Sequence, residues 1–255
     1  MSPTQTMSQV LRGWLYPPVC AGCDALLSSA RQVAVPFLCE ECEDSLVRIA
    51  EGYCMVCGQS YDAPMSSAFQ CANCRDRELG FDFAVSAYRS SGVARELMHQ
   101  FKYGKRVHLA RLMGKLATEV WRDERLGEGI WWMVPVPLHP RRLRSRGFNQ
   151  AREIALEMRR CAPPGQDCRV ISLLRRTRHT VRQAQLDRKE RLRNPEGAFA
   201  LRRELWTRKL KGQERPRFLI VDDVMTTGST VSECAAVLRK HFDPELIAGV
   251  SVMRG

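Results

Sequence analysis

Eight cysteines and one short acidic, hydroxyl-rich turn are the residues whose spacing in this chain could do chemistry. The cysteines form four Cys-x-x-Cys pairs, Cys20/Cys23, Cys39/Cys42, Cys54/Cys57 and Cys71/Cys74, all before residue 75. Thiolate sulfur is a soft ligand, and four such sulfurs complete a tetrahedral shell around zinc. Each Cys-x-x-Cys turn offers two sulfurs from one knuckle, so two knuckles make a site. Fifteen residues separate the first two pairs and thirteen the last two, which suits tandem zinc ribbons. A cross-braced pairing, first with third and second with fourth, fits equally well. Four sulfurs leave no open position for water, so the zinc is expected to be structural. An iron–sulfur cluster is the main rival, since it too takes thiolates. Disulfides conflict with the expectation of a cytoplasmic chain whose first residues do not read as an export signal, and a redox Cys-x-x-Cys normally occurs once. Cys161, Cys168 and Cys234 are isolated and read as ordinary small residues.

The turn lies in Phe218 to Thr230, FLIVDDVMTTGST. Four apolar residues read as a buried strand ending at Asp222 and Asp223. Thr226, Thr227, Gly228, Ser229 and Thr230 follow, and a helix begins whose face is Val231, Cys234, Ala235 and Leu238. Thr230 with Glu233 matches a capping box. A strand, a tight turn and a helix N-terminus together make an anion cradle from free backbone N–H groups and the helix dipole. Paired carboxylates are poor phosphate ligands but good acceptors for paired hydroxyls. Phosphate on one side and a diol on the other describe a ribose 5-phosphate. The Gly-x-x-x-x-Gly-Lys pattern of a P-loop does not occur.

The elements that must position these groups change character near residue 80. Before it come paired cysteines and short loops, a module whose small core would take much of its folding free energy from metal. After it, apolar runs alternate with helical periodicity in a βαβ manner. Strands are expected over 81–88, 130–137, 217–221 and 246–253, and helices over 93–103, 109–121, 151–158 and 231–240. Arg175 to Pro195 is basic and poor in core residues, and reads as a long loop of the kind used for active-site lids, with disorder or a surface helix over 187–193 as alternatives. Net charge is +12, yet Arg141 to Arg217 alone holds 23 Lys and Arg against 8 Asp and Glu. A field of that sign attracts phosphates, on a metabolite or on nucleic acid. No apolar run reaches the roughly 18–20 residues that span a bilayer, and the first residues do not resemble a signal peptide. A cytoplasmic protein without membrane insertion is expected.

The thirteen residues from Phe218 resemble the phosphoribosyl pyrophosphate (PRPP) signature of type I phosphoribosyltransferases. With the four cysteine pairs, Phe101-Lys102-Tyr103-Gly104, PVPLHPRRLRSRGFNQA from Pro135 and RQAQLDRKERLRNPEGAF from Arg182, almost the whole chain resembles the ComF family, known for competence and DNA uptake. The resemblance implies an α/β fold of the type I phosphoribosyltransferase kind: a mainly parallel sheet with helices on both faces over residues 81–255, preceded by a double zinc ribbon over 1–80. It implies Asp222 and Asp223 as the catalytic pair on the ribose hydroxyls and Thr226 to Thr230 on the 5′-phosphate. Lys102, Val136, Pro137, Leu138, Arg142 and Arg146, with Asn149 nearby, become candidates for the pyrophosphate. Arg182, Gln183, Gln185 and Arg191 become candidates on a flexible loop that closes over the reacting carbon. Magnesium would come with PRPP, held by its oxygens. PRPP is the implied ligand, and single-stranded DNA with a competence helicase or other DNA-processing proteins are the implied partners. Phosphoribosyl transfer to an unknown acceptor stands beside two alternatives, a non-catalytic PRPP sensor and a single-stranded DNA binder. Only a short tail follows the last expected strand, so the cysteine module is the candidate to wall the site or to dock a macromolecule there.

Overall fold

The structure is a computed structural model that describes residues 19–27, 37–66, 68–178, 195–202, 210 and 215–255. Seven strands and seven α-helices fall within these residues. In chain order they are α1 (Glu40–Asp44), α2 (Ala72–Arg75), β1 (Phe83–Arg89), α3 (Gly92–Tyr103), α4 (Ala110–Ala117) and β2 (Gly129–Pro135). Then come α5 (Pro140–Arg146), α6 (Gln150–Arg160), β3 (Gln166–Val170), β4 (Leu174–Arg176), β5 (Phe199–Leu201), β6 (Arg217–Met225), α7 (Ser229–His241) and β7 (Leu246–Arg254).

Five strands make one sheet in the order β1-β7-β6-β2-β3, parallel at every pairing. A central parallel strand is covered on both faces, which is why β6 is apolar without alternation. Its side chains still divide by parity. Phe218 and Ile220 pack with Val231, Cys234 and Leu238 of α7, whereas Leu219 and Val221 pack with Leu112 of α4 and Ile154 of α6. The helices therefore cover both faces. The outlying pair β4 and β5 is antiparallel. No helix among the described residues is long and apolar enough to cross a membrane.

Helices α4 and α6 meet at Gly114, where an added Cβ would lie 2.1 Å from Glu157 Cβ. Alanine normally favours a helix over glycine by about 1 kcal/mol. Here Gly114→Ala must push two helices apart, an overpacking that costs roughly 1–3 kcal/mol. Net destabilisation is therefore expected, read as a lower thermal midpoint.

The cysteine-rich segment is continuous with the sheet. Leu38, Cys42 and Leu46 share one apolar cluster with Leu97, Phe101 and Tyr88. Arg89 donates its backbone N–H to Val47 O at 2.9 Å, Ile49 donates to Ala87 O at 2.9 Å and Ala84 to Val56 O at 2.8 Å, so the segment covers the otherwise open edge of β1.

Several expectations are revised. Strand β6 continues through both acids to Met225 instead of stopping before them, because pairing with β7 extends to Arg254. Helix α7 starts at Ser229, with Gly228 as its N-cap at φ +75°. Thr230 is thus inside the helix and forms no capping box; Glu233 instead accepts from the Gly197 N–H at 3.0 Å. The helix expected over 109–121 is α only to Ala117, flanked by 3-10 turns. Arg175 and Arg176 belong to β4 and not to a loop, while 179–194 lies outside the described residues. Elements α1, α2, α5, β3, β4 and β5 are additions.

Candidate functional site: an acidic pair in a cationic cleft, beside two thiolate clusters

At the carboxyl ends of β2 and β6 the chain turns opposite ways, β2 leading to β3 on one side and β6 to β7 on the other. Such a switch point splays the following loops apart and opens a crevice. A cavity of about 370 Å³ lies there. It is lined by Asp222, Asp223, Thr226 and Thr230 from β6 and its turn, and by Val136, Leu138, Arg142, Arg146 and Asn149 after β2. Lys102 and Tyr103 come from the end of α3 and Arg176 from β4.

The acids are held from several sides. Lys102 Nζ is 2.8 Å from Asp223 Oδ1, and both side chains are largely buried. Asp222 Oδ1 accepts from the Asp223 N–H at 2.9 Å. Burial first, and the negative charge of Asp223 second, push the Asp222 carboxyl from 3.8 up to about 7, against Lys102 and Arg176. Arg176 is itself pulled down by burial and stacks 5.1 Å over the Phe199 ring.

The turn residues divide. Thr226 and Thr230 line the cavity, while the buried hydroxyls of Thr227 and Ser229 bond to each other at 2.6 Å. Gly228 takes the left-handed conformation at φ +75°, which residues with a Cβ rarely adopt; a Cβ there would only touch the Phe81 ring, at 3.4 Å.

On the β2 side, Val136 donates its N–H to Val221 O of β6 at 2.9 Å and accepts from Asn149 Nδ2, at the N-cap of α6, at 3.1 Å, which ties the segment after β2 to both elements. Pro137 is buried and outside the lining. Arg146 donates to Gln150 Oε1 at 2.9 Å and lies 5.3 Å over the Tyr103 ring. Arg182, Gln183, Gln185 and Arg191 are outside the described residues. Sequence reasoning missed Arg176, Arg95 and Tyr103. Arg176 sits in a basic stretch without periodicity, and only its pairing with Phe199 brings it to the acids.

Five cationic side chains (Arg95, Lys102, Arg142, Arg146 and Arg176) thus face two carboxylates in one cleft. The arrangement suits a polyanion that also carries hydroxyls. Asp222 gives a pH test. Its folded value lies above its ordinary one, so its contribution to stability is full below about pH 4 and is lost as pH rises through about 7. Thermal melts should show Asp222→Asn gaining on the wild type from pH 5 to pH 8, by on the order of 2–4 kcal/mol.

The cysteines gather as Cys20, Cys23, Cys39, Cys42 and as Cys54, Cys57, Cys71, Cys74, with the sulfurs of each set within 4.8 Å of one another. This is the tandem pairing, and the cross-braced one is excluded. Zinc with Zn–S bonds of about 2.3 Å in a tetrahedron needs sulfurs about 3.8 Å apart. Cys23 and Cys39 are 3.7 Å apart, Cys57 and Cys71 3.7 Å, and Cys71 and Cys74 3.6 Å. The donor sets fit structural zinc. Backbone N–H groups of Cys39 and Cys71 point at Cys20 and Cys54 sulfurs at 3.3 Å, which favours thiolate. The Cys57 thiol is drawn down to about 4, first by a hydrogen bond with Cys74 and also, against burial, by the Arg254 guanidinium.

Among the described residues the cleft is lined only from Ser90 onward, so the cysteine module does not wall it. The module instead reaches the turn from outside the cavity: Asn73 Nδ2 and Arg77 Nη1 donate to Thr227 O at 3.3 and 3.1 Å.

Comparison with known proteins bears first on the thiolate clusters. The family described as the double zinc ribbon domain matches residues 11–76. The chain is 30% identical over 211 residues to competence protein F of Haemophilus influenzae, covering 80% of this chain and 84% of that protein. It is 30% identical over 223 residues to the DNA utilization protein YhgH of Salmonella typhimurium, covering 82% and 93%. It is 22% identical to competence protein ComFC of Bacillus subtilis over 97% of this chain and 100% of that protein.

Proposed function

We propose, from the premise that this chain belongs to the competence protein F (ComF) family, that it is a PRPP-binding, phosphoribosyltransferase-like protein serving DNA uptake in the cytoplasm. The names of its relatives, competence protein F and DNA utilization protein, support the role in handling DNA. One observation carries the ligand: two adjacent carboxylates and a hydroxyl-bearing turn line the same strand-switch cleft as five cations.

In this reading Asp222 and Asp223 accept the ribose hydroxyls. Thr226, Thr230 and the turn's backbone amides take the 5′-phosphate at the start of α7. Arg142 and Arg146 take the pyrophosphate, for which the planar guanidinium is well shaped. Lys102, paired with Asp223 at 2.8 Å, is within the same cleft and would share its charge with the diphosphate. Magnesium would enter with the ligand, held by pyrophosphate and ribose oxygens with few protein ligands. Neutralising the leaving pyrophosphate as the anomeric carbon becomes cationic is the catalytic step these cations would supply.

A second reading, PRPP sensing without turnover, has one observation in its favour. The described part of the cysteine module gives no wall over the reacting carbon, and excluding water is what protects such an intermediate. Calorimetric titration with PRPP and magnesium, followed by a pyrophosphate-release screen across acceptors, separates the two. Binding with release supports the transferase, binding without release the sensor, and no binding removes both.

A further inference from the structure

The second thiolate cluster is tied to the phosphate turn by a set of contacts that the binding reading does not use. Three successive carbonyl oxygens of the turn are taken by side chains. Arg254, almost fully buried, donates through Nη1 to Met225 O at 2.8 Å and to Thr226 O. Its Nη2 lies 3.4 Å from Cys57 Sγ. Thr227 O accepts from Asn73 and Arg77. Asn73 stands between Cys71 and Cys74 on α2, and Arg77 follows Cys74 by three residues.

A trans peptide points its C=O and the next N–H in opposite directions, and the chain has no cis peptide bond among the described residues. Holding the oxygens of Met225, Thr226 and Thr227 therefore fixes the N–H groups of Thr226, Thr227 and Gly228 on the opposite side. We infer that the second zinc ribbon is the positioning element of the anion cradle, and that metal at Cys54, Cys57, Cys71 and Cys74 sets how well the turn holds a phosphate. A helix of four residues such as α2 has too few hydrogen bonds to persist alone. Its register, and so the placement of Asn73 and Arg77, depends on its two cysteines being clamped to Cys54 and Cys57. The first cluster is connected differently. Ala21 O, inside its opening knuckle, accepts from Gln100 of α3 at 3.2 Å.

The inference rests on the PRPP reading only for its ligand, so the test uses two readouts. The full-length, zinc-loaded chain carrying Asn73→Ala and Arg77→Ala keeps all eight cysteines. Amide hydrogen exchange over the turn and the first turn of α7, read at the Ser232 N–H that bonds Gly228 O at 2.9 Å, should quicken about tenfold without ligand, the loss expected for removing hydrogen bonds to a charged donor. PRPP affinity should fall about as much. Exchange in Phe218–Val221 and the zinc content should stay at wild-type values, and Arg77→Lys should restore part of both effects. Unchanged exchange over the turn overturns the inference, whatever the affinity does. Quickened exchange in a chain that binds no PRPP leaves the inference standing and removes the ligand reading. If the double variant loses metal, the wild type is compared with Cys23→Ser and Cys74→Ser. Only the Cys74 change should quicken the turn, and equal effects from both would overturn the assignment to the second ribbon.

Discussion

Replacing Asp222 and Asp223 together by asparagine is expected to weaken PRPP binding by about 100-fold or more while leaving the chain folded. A hydrogen bond to a charged group contributes roughly 1.5–3 kcal/mol, and the ribose diol would lose two such acceptors. Asparagine keeps the shape of aspartate, so the cleft is not emptied. Lys102 loses its partner at 2.8 Å, but it borders an open cavity and can take water instead. Zinc content and the thermal midpoint at pH 5 should match the wild type, because Asp222 is largely protonated there. Binding to single-stranded DNA should hardly change, since that depends on cations and falls with salt. Calorimetry with PRPP and magnesium and a salt series with DNA read the two separately. Retained PRPP affinity would remove the acids from the site, and parallel loss of both ligands would argue for one shared surface.

Removing zinc is expected to be the largest single perturbation of stability. Structural zinc supplies apparent free energies of about 10–16 kcal/mol in small thiolate domains at neutral pH. Chelation should release two zinc ions per chain and dissolve the described ribbon residues. The damage should not stop there. Leu38, Cys42 and Leu46 share the apolar cluster that contains Leu97 and Phe101, and the segment around Arg48 pairs with β1. Stripping that cover exposes apolar surface of α3 and the edge of β1, and the midpoint of the remaining domain should fall by about 10 °C or more. Circular dichroism with a colorimetric zinc assay follows both events. A midpoint indifferent to chelator would mean that the two parts fold independently. Visible absorbance from a bound cluster in place of zinc would revive the iron–sulfur alternative.

How much of this was legible in the residues differs by element. Local signals carried far. Cys-x-x-Cys knuckles read as metal ligands because the spacing itself presents two sulfurs, and Phe218 to Thr230 read as strand, turn and helix because burial, glycine and helical periodicity succeed one another within one short run. The α/β order followed from alternating periods. Signals that depend on distant partners did not carry. Nothing around Asp222 indicates that β6 continues to Met225, since that is decided by hydrogen bonds to β7. Arg176 is one arginine among many until β4 pairs with β5.

The residue sequence by itself determined which groups can bind: thiolates in pairs, adjacent carboxylates, hydroxyls before a helix, and a surplus of arginine. These are properties of side-chain chemistry and near-neighbour spacing, and they survive any fold that keeps the segments intact. Tertiary structure alone decided that the cysteines pair in tandem, that Lys102 meets Asp223, and that Asn73 and Arg77 from the ribbon and Arg254 from β7 grip the backbone of the phosphate turn. The reason is physical. Contacts between residues from 14 positions apart, as for Cys57 and Cys71, to 154, as for Asn73 and Thr227, are selected by how the knuckles, sheet and helices pack, and the local run of residues does not fix which partners meet.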